Sequence, residues 1–198
     1  MKILSQSLLV GISIFCLQPA ANAKIHITPL LGFSGGGEVE DENGSALDIV
    51  PSVSFSIATE LEFQTGRLGL YYSQQSSEVE SLELDTTIQY LMFQSSIYYD
   101  LPNRAYAYLG VGIGGSYIDA DWVDNHAGFA GSIFGGFEYP ITQSISLTSQ
   151  IRWLGTVVDN DTAAACNLPS GSSGDCIIRF KTDWMNQFTM GVGLVMTF

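Results

Sequence analysis

Histidine-based chemistry has two candidates in this sequence, His26 and His126. His126 lies two residues after Asp124, so an acid is at hand to orient its ring while a serine attacks an acyl carbonyl. In a His-x-Ser pair that serine would stand two residues after His126, where the sequence has Gly128. The nucleophile is missing where this chemistry needs it, so we expect no enzyme.

A second chemical pattern is the run GVGIGG at 110–115, which satisfies the G-x-G-x-x-G spacing of dinucleotide-binding loops. Such loops work because a helix follows them and presents its N-terminus to the phosphates. Here the next residues are SYIDADW, which predict a strand end and an acidic loop. The pattern therefore predicts no nucleotide site, and we expect no cofactor.

Acidic clusters raise the question of a metal centre. Asp119, Asp121 and Asp124 lie close together, and the run EDEN occupies 40–43. Neither has the spaced Asp or Asn residues, the glycine and the distal glutamate of a calcium loop. We expect no metal site of that kind.

The first residues have the three parts of a secretory signal peptide: basic Lys2, an apolar stretch at 8–17 and an A-x-A end formed by Ala21 and Ala23. We predict cleavage after Ala23, which gives a signal peptide at 1–23 and one domain at 24–198. Two cysteines then remain, Cys166 and Cys176, and in an exported chain a pair ten residues apart predicts a disulfide.

Composition narrows the class of protein further. The 198 residues include 20 acidic and 7 basic side chains, a net charge of −13, which argues against a nucleic-acid binder. Hydrophobic residues make up 46% of the chain and charged residues only 14%, well below the roughly 25% of a soluble domain. Part of the surface is therefore expected to face something other than water.

The hydrophobic pattern of the chain has a period of two, which is typical of strands. In the last segment Phe188, Met190, Val192, Leu194, Met196 and Phe198 alternate with small or polar residues. The second face of such segments is Gly, Ser, Thr and Tyr, which suits the narrow interior of a barrel. The turn residues and polar stretches between these segments predict eight strands, at 25–37, 48–62, 67–76, 82–99, 104–117, 128–140, 144–157 and 178–198.

The predicted connections alternate in length. Those at 63–66, 100–103 and 140–143 are short, whereas those at 38–47, 77–81, 118–127 and 158–177 are longer or more polar. Membrane barrels have this asymmetry between tight periplasmic turns and long outer loops. The fourth segment is poorly phased, because Ile88, Tyr90 and Met92 compete with Leu91 and Phe93 for the outer face, so we predict a bulge near Gln94.

With its alternating segments and the ending MGVGLVMTF, the sequence resembles the small eight-stranded outer-membrane barrels of the OmpA-domain, OmpX and OmpW type. The resemblance covers 24–198 and implies an all-β, eight-stranded antiparallel up-and-down barrel in the cell outer membrane. It also implies that Met190, Val192, Leu194, Met196 and Phe198 form the assembly signal read by the barrel-assembly machinery. We expect a monomer.

Parity along the strands predicts charged side chains inside the barrel: Glu60, Glu62, Glu138 and Arg152. Buried charges in a narrow lumen must pair or stay hydrated. We therefore expect Arg152 to pair with Glu138 or Glu62 and to plug the barrel, as a static bridge or as a switchable gate.

The acidity is confined to one end of the predicted barrel. Residues 38–48, 76–85, 118–127 and 158–183 hold 16 acids and two bases, a net charge of −14. These outer segments would face lipopolysaccharide, whose phosphates are bridged by divalent cations. We expect a structural or surface role in contact with outer-membrane lipid and lipopolysaccharide; the alternatives are a narrow gated channel and a lipid A-modifying enzyme.

Overall fold

Residues 24–36, 38–40, 46–48, 50–79, 84–119, 127–157, 179–180 and 184–198 are described by a computed structural model of the chain. Eight long strands form one closed barrel: β1 (Ile25–Gly35), β4 (Ser52–Phe63), β5 (Gly66–Val79), β6 (Leu84–Asp100), β7 (Tyr106–Asp119), β8 (Ala127–Pro140), β9 (Ile145–Val157) and β11 (Trp184–Thr197). Each pairs antiparallel with its neighbours, and β1 closes the barrel against β11. The predicted eight-stranded up-and-down barrel is confirmed.

A second, smaller sheet is not hydrogen-bonded into the barrel. It contains β2 (Glu38–Glu40), β3 (Ala46–Asp48) and β10 (Arg179–Phe180), with β2 in the middle. Its strands belong to the connections between β1 and β4 and between β9 and β11. Both connections leave the end of the barrel opposite to the termini.

The short connections lie at the end that holds Lys24 and Phe198, where Ile25 and Phe198 exchange main-chain hydrogen bonds. Gln64 and Thr65 connect β4 to β5, and a 3-10 turn at Pro102–Arg104 connects β6 to β7. Gln64 has a positive φ of 54° and Asn103 one of 66°, as two-residue and tight turns require. The described part of the chain contains no helix long and apolar enough to cross a membrane.

The strands differ from the prediction in several places. The last predicted strand, 178–198, begins in the barrel only at Trp184, because Arg179 and Phe180 pair with β2 in the smaller sheet. β4 begins at Ser52 and not at residue 48, because Pro51 has no N–H to donate to the ladder. The predicted bulge near Gln94 is wrong, because β6 keeps an unbroken register with β5 and with β7. Its phase sends Ile88, Tyr90 and Met92 into the lumen, where all three are buried.

The outer face of the barrel carries exposed apolar side chains at the positions predicted from the alternation. On β11, Met190 is 63% exposed and Val192 61%, while the inward-facing Gln187 and Val195 are buried. The same division holds on the other strands, where the outward residues include Phe55, Leu70, Phe93, Val111, Ile133 and Ile151. Above this band on β5, the outward residue Gln74 is polar and its amide oxygen accepts a hydrogen bond from Tyr72.

The band predicts how a charge on the outer face changes stability. If it contacts hydrocarbon, Val192→Arg lowers the free energy of unfolding by about 2–4 kcal/mol, because the guanidinium must leave water. Gln74→Arg, above the band, lowers it by about 1 kcal/mol or less. Urea titration of tryptophan fluorescence in lipid vesicles measures both, and equal losses would contradict the lipid-facing band.

Candidate functional site

Polar and aromatic side chains fill the lumen of the barrel, and two of their layers contain charged groups. Nearer the middle is the Arg152 layer, built from Arg152, Tyr71, Phe134, Gln94, Ser132 and Gln150. Nearer the termini is the Arg67 layer, built from Arg67, Glu138, Tyr98, Tyr108 and Thr148. Alternation on five different strands brings these side chains inward, since each occupies the face opposite to the apolar band.

Arg152 is held by neutral partners. Its guanidinium lies between two rings, with Cζ 3.7 Å from the centroid of Tyr71 and 4.0 Å from that of Phe134. Nη1 donates to Ser132 Oγ at 2.8 Å, and Nη2 donates to Gln94 Oε1 at 2.7 Å. The side chain is 1% exposed.

A carboxylate balances this charge through an intermediate amide. Gln94 Nε2 donates to Glu60 Oε1 at 2.8 Å, while Gln94 Oε1 accepts from Arg152. Glu60 and Gln94 are both buried. The amide dipole therefore lies head to tail between cation and anion, and each charge is compensated without direct contact.

The Arg67 layer contains a direct ion pair. Arg67 Nη1 and Nη2 donate to the two carboxylate oxygens of Glu138 at 2.9 and 3.1 Å, the bidentate geometry of strong Arg–carboxylate pairs. Nη1 also donates to Tyr98 Oη at 2.8 Å, and the guanidinium lies 4.3 Å from the Tyr98 ring centroid. Tyr98 in turn stacks on Tyr108 with centroids 5.2 Å apart.

The structure does not contain the expected direct pairing of Arg152 with Glu138 or Glu62. The register partner of Arg152 on β8 is Phe134, whereas that of Glu138 is Thr148, four residues away along β9. Four residues of strand correspond to about 13 Å, which exceeds the reach of the guanidinium. Glu138 is bound by Arg67 instead.

Glu62 lies at the rim and not within the lumen. Its side chain is 41% exposed, and Oε2 is 3.2 Å from Lys24 Nζ. Glu60, Glu138 and Arg152 are inside, at the parity expected for them. The remaining predicted sites, Ala21 and Ala23 of the signal peptide and the Cys166–Cys176 pair, lie outside the described residues, as does His126.

Two functional residues were missed from the sequence. Arg67 was detectable, because Leu68 and Leu70 face outward and the opposite parity places Arg67 inside. Gln94 was not, because the phase of its strand was ambiguous.

The glycines of the run at 110–115 contribute space to the Arg152 layer. A Cβ on Gly112 would lie 2.6 Å from Ser132 Oγ and 3.5 Å from Arg152 Nη1, and one on Gly110 would overlap the Phe134 ring. Larger side chains at these two positions would displace the groups that surround the guanidinium.

Little space remains around the two layers. A cavity lined by Glu60, Gln94, Tyr98 and Tyr108 holds about 10 Å³, and so does another beside Tyr71 and Gln150. That volume accommodates about one water molecule. By contrast, a cavity of about 370 Å³, the vestibule, opens at the end that holds the termini and reaches His26, Arg67 and Glu138.

The buried Arg67–Glu138 pair and the exposed Lys24–Glu62 pair are expected to contribute differently to stability. Arg67→Met leaves Glu138 buried without its cation and lowers the free energy of unfolding by about 3–5 kcal/mol, much of which Glu138→Gln restores in the double variant. Lys24→Met and Glu62→Gln, at the exposed rim, couple by about 1 kcal/mol or less. Urea unfolding in vesicles measures both cycles; a rim coupling as large as the lumen coupling would refute the role of burial.

No protein-family model and no curated protein sequence matches the chain. Among solved structures, OprG from Pseudomonas aeruginosa has a TM-score of 0.62 at 12% identity and covers 89% of this chain and 96% of its own. Neisserial surface protein A has a TM-score of 0.61 at 11% identity, covering 88% and 97%. AlkL in lipid bilayers has a TM-score of 0.52 at 17% identity, covering 89% and 90%. The chain therefore has the fold of the small eight-stranded outer-membrane barrels.

Proposed function

We propose that this chain is an outer-membrane protein whose barrel does not conduct and which acts at the cell surface through its acidic outer segments. The observation that carries the proposal is the filled lumen beneath an apolar outer face. Two consecutive layers of side chains cross the lumen, and cavities of about 10 Å³ beside them leave room for single waters. An eight-stranded barrel has an interior that side chains just fill.

The outer face supports the membrane location. Exposed Phe, Leu, Ile, Val and Met side chains surround the barrel, and a soluble protein would not leave such a band in water. The outward residues of β11, among them Met190, Val192 and Leu194, support the expected recognition by the barrel-assembly machinery. Localisation to the outer membrane, with the termini towards the periplasm, follows from this proposal and from the shared fold.

The charge distribution supports a surface role. Of the 20 acidic residues, 16 belong to the outer segments defined above, which contain only two bases. Outside those segments the described part of the chain has four acids and four bases, with Arg67 on Glu138, Lys24 on Glu62, and Arg152 linked to Glu60 through Gln94. A concentrated negative potential at the outer end suits divalent cations shared with lipopolysaccharide phosphates. No catalytic step is part of the proposal.

The alternative is a narrow gated channel. One observation favours it: the lumen is lined by polar and charged side chains, and the vestibule leads from the periplasmic end directly to the Arg67–Glu138 pair. Opening would require both layers to rearrange. The two functions differ in conductance.

Planar-bilayer recording separates them. We expect no discrete current steps from the wild type or from Arg152→Ala, since the Arg67 layer still closes the lumen. Under the channel alternative, steps are expected from the triple variant Arg67→Ala, Glu138→Ala and Arg152→Ala, which removes the charged groups of both layers except Glu60. A heat-dependent gel shift checks that each variant is folded. Steps in the wild type would overturn the non-conducting proposal.

Neutralising the acids of one outer segment tests the surface role. Glu38→Gln, Glu40→Gln, Asp41→Asn and Glu42→Gln together should weaken binding of nanodisc-embedded protein to immobilised lipopolysaccharide in Mg²⁺, because four shared ligands for the cation are lost. The control, Glu62→Gln with Asp100→Asn at the opposite end, should bind as the wild type does. Surface plasmon resonance with and without EDTA measures the effect, and equal binding by all three would eliminate the lipopolysaccharide contact.

A further inference from the structure

His26 is buried at the inner end of the vestibule with one ring nitrogen committed and the other free. Its residue is 5% exposed, and Nδ1 lies 3.0 Å from Thr197 Oγ1. Nε2 is buried and has no hydrogen-bond partner within the part of the chain that the structure describes. The tautomer in which Nδ1–H donates to Thr197 leaves the Nε2 lone pair unused. Metal-ligating histidines have this arrangement, with the second nitrogen oriented by a hydrogen bond.

A carboxylate lies close to that lone pair. Glu62 Oε2 is 3.9 Å from His26 Nε2, too far for a hydrogen bond. Two ligand atoms that each lie about 2.0–2.2 Å from one ion are separated by roughly 3–4 Å. The distance of 3.9 Å lies at the upper end of this range, so both atoms can bind a single cation.

The surroundings give such an ion access and water. Both side chains line the vestibule of about 370 Å³. No group of three His, Cys, Asp or Glu side chains that could hold a metal occurs among the described residues. The protein would thus contribute two ligands and water the others. In the absence of an ion, Lys24 Nζ lies 3.2 Å from Glu62 Oε2 and pairs with the carboxylate. The Lys24 side chain is 61% exposed, so it is free to move into water.

We propose that His26 and Glu62 bind a divalent transition-metal ion such as Zn²⁺ in the vestibule. An imidazole nitrogen selects Zn²⁺, Cu²⁺ or Ni²⁺ over Mg²⁺ and Ca²⁺, which prefer oxygen ligands alone. The site joins β1 to β4, and Thr197 of β11 positions the histidine, so it spans the seam where the barrel closes. The site does not depend on whether the barrel conducts.

Zn²⁺ titration calorimetry of the detergent-solubilised protein tests the proposal. We expect one Zn²⁺ per chain, affinity at least tenfold weaker in His26→Gln and in Glu62→Gln, and unchanged affinity in His126→Ala, which removes the only other histidine. Lys24→Met should bind several-fold more tightly, because it frees Glu62. Excess Mg²⁺ removes binding by the acidic outer segments and leaves the histidine site occupied.

Two further measurements test the same site. Electron paramagnetic resonance of Cu²⁺ bound to His126→Ala protein should show hyperfine coupling to a single imidazole nitrogen, and Zn²⁺ should raise the unfolding temperature of the wild type but not of His26→Gln. Zn²⁺ binding equal in wild type and His26→Gln, absence of Zn²⁺ binding, or a Cu²⁺ spectrum without nitrogen coupling would each overturn the proposal.

Discussion

The constraint on which this structure depends is the width of an eight-stranded barrel. Closure leaves an interior that side chains just fill, so every inward residue must find its partners among other inward residues. Arg152 illustrates the consequence, since its charge meets two rings, two amides and a hydroxyl before any carboxylate. The outer face has the opposite requirement and carries no such partners. Each strand therefore meets two requirements at alternate positions: inward side chains need partners in the lumen, and outward side chains are apolar.

The two layers satisfy buried charge in different ways. Arg67 and Glu138 meet directly, with both carboxylate oxygens engaged. Arg152 and Glu60 are separated by Gln94, whose amide donates to one and accepts from the other. A direct pair gains more Coulomb energy in a medium of low dielectric, whereas the amide link adds hydrogen bonds and spreads the compensation over three strands. The rings of Tyr108 and Phe134, 6.4 Å apart, connect the layers.

Alternation made the fold and the face of most residues predictable. The period of two from Phe188 to Phe198 was sufficient to assign the outer face of β11, and similar runs located the other strands to within a few residues. The partners of Arg152 were not predictable, because they depend on register: whether Phe134 or Glu138 lies opposite Arg152 is decided by pairing across strands. Parity distinguishes inside from outside and says nothing about height. Where parity itself was ambiguous, as in β6, Gln94 was missed.

Height also separates the environments of three acids of the barrel wall, Glu60, Glu62 and Glu138. Glu60 and Glu138 are buried in the lumen, and each is tied to an inward-facing donor. Glu62, two residues beyond Glu60 on the same face, lines the vestibule. Its partners there are solvent and Lys24 and not a buried donor. Because a half-exposed carboxylate loses little free energy when it changes partners, Glu62 is positioned to bind something that arrives from outside the barrel, while its neighbour Glu60 remains structural.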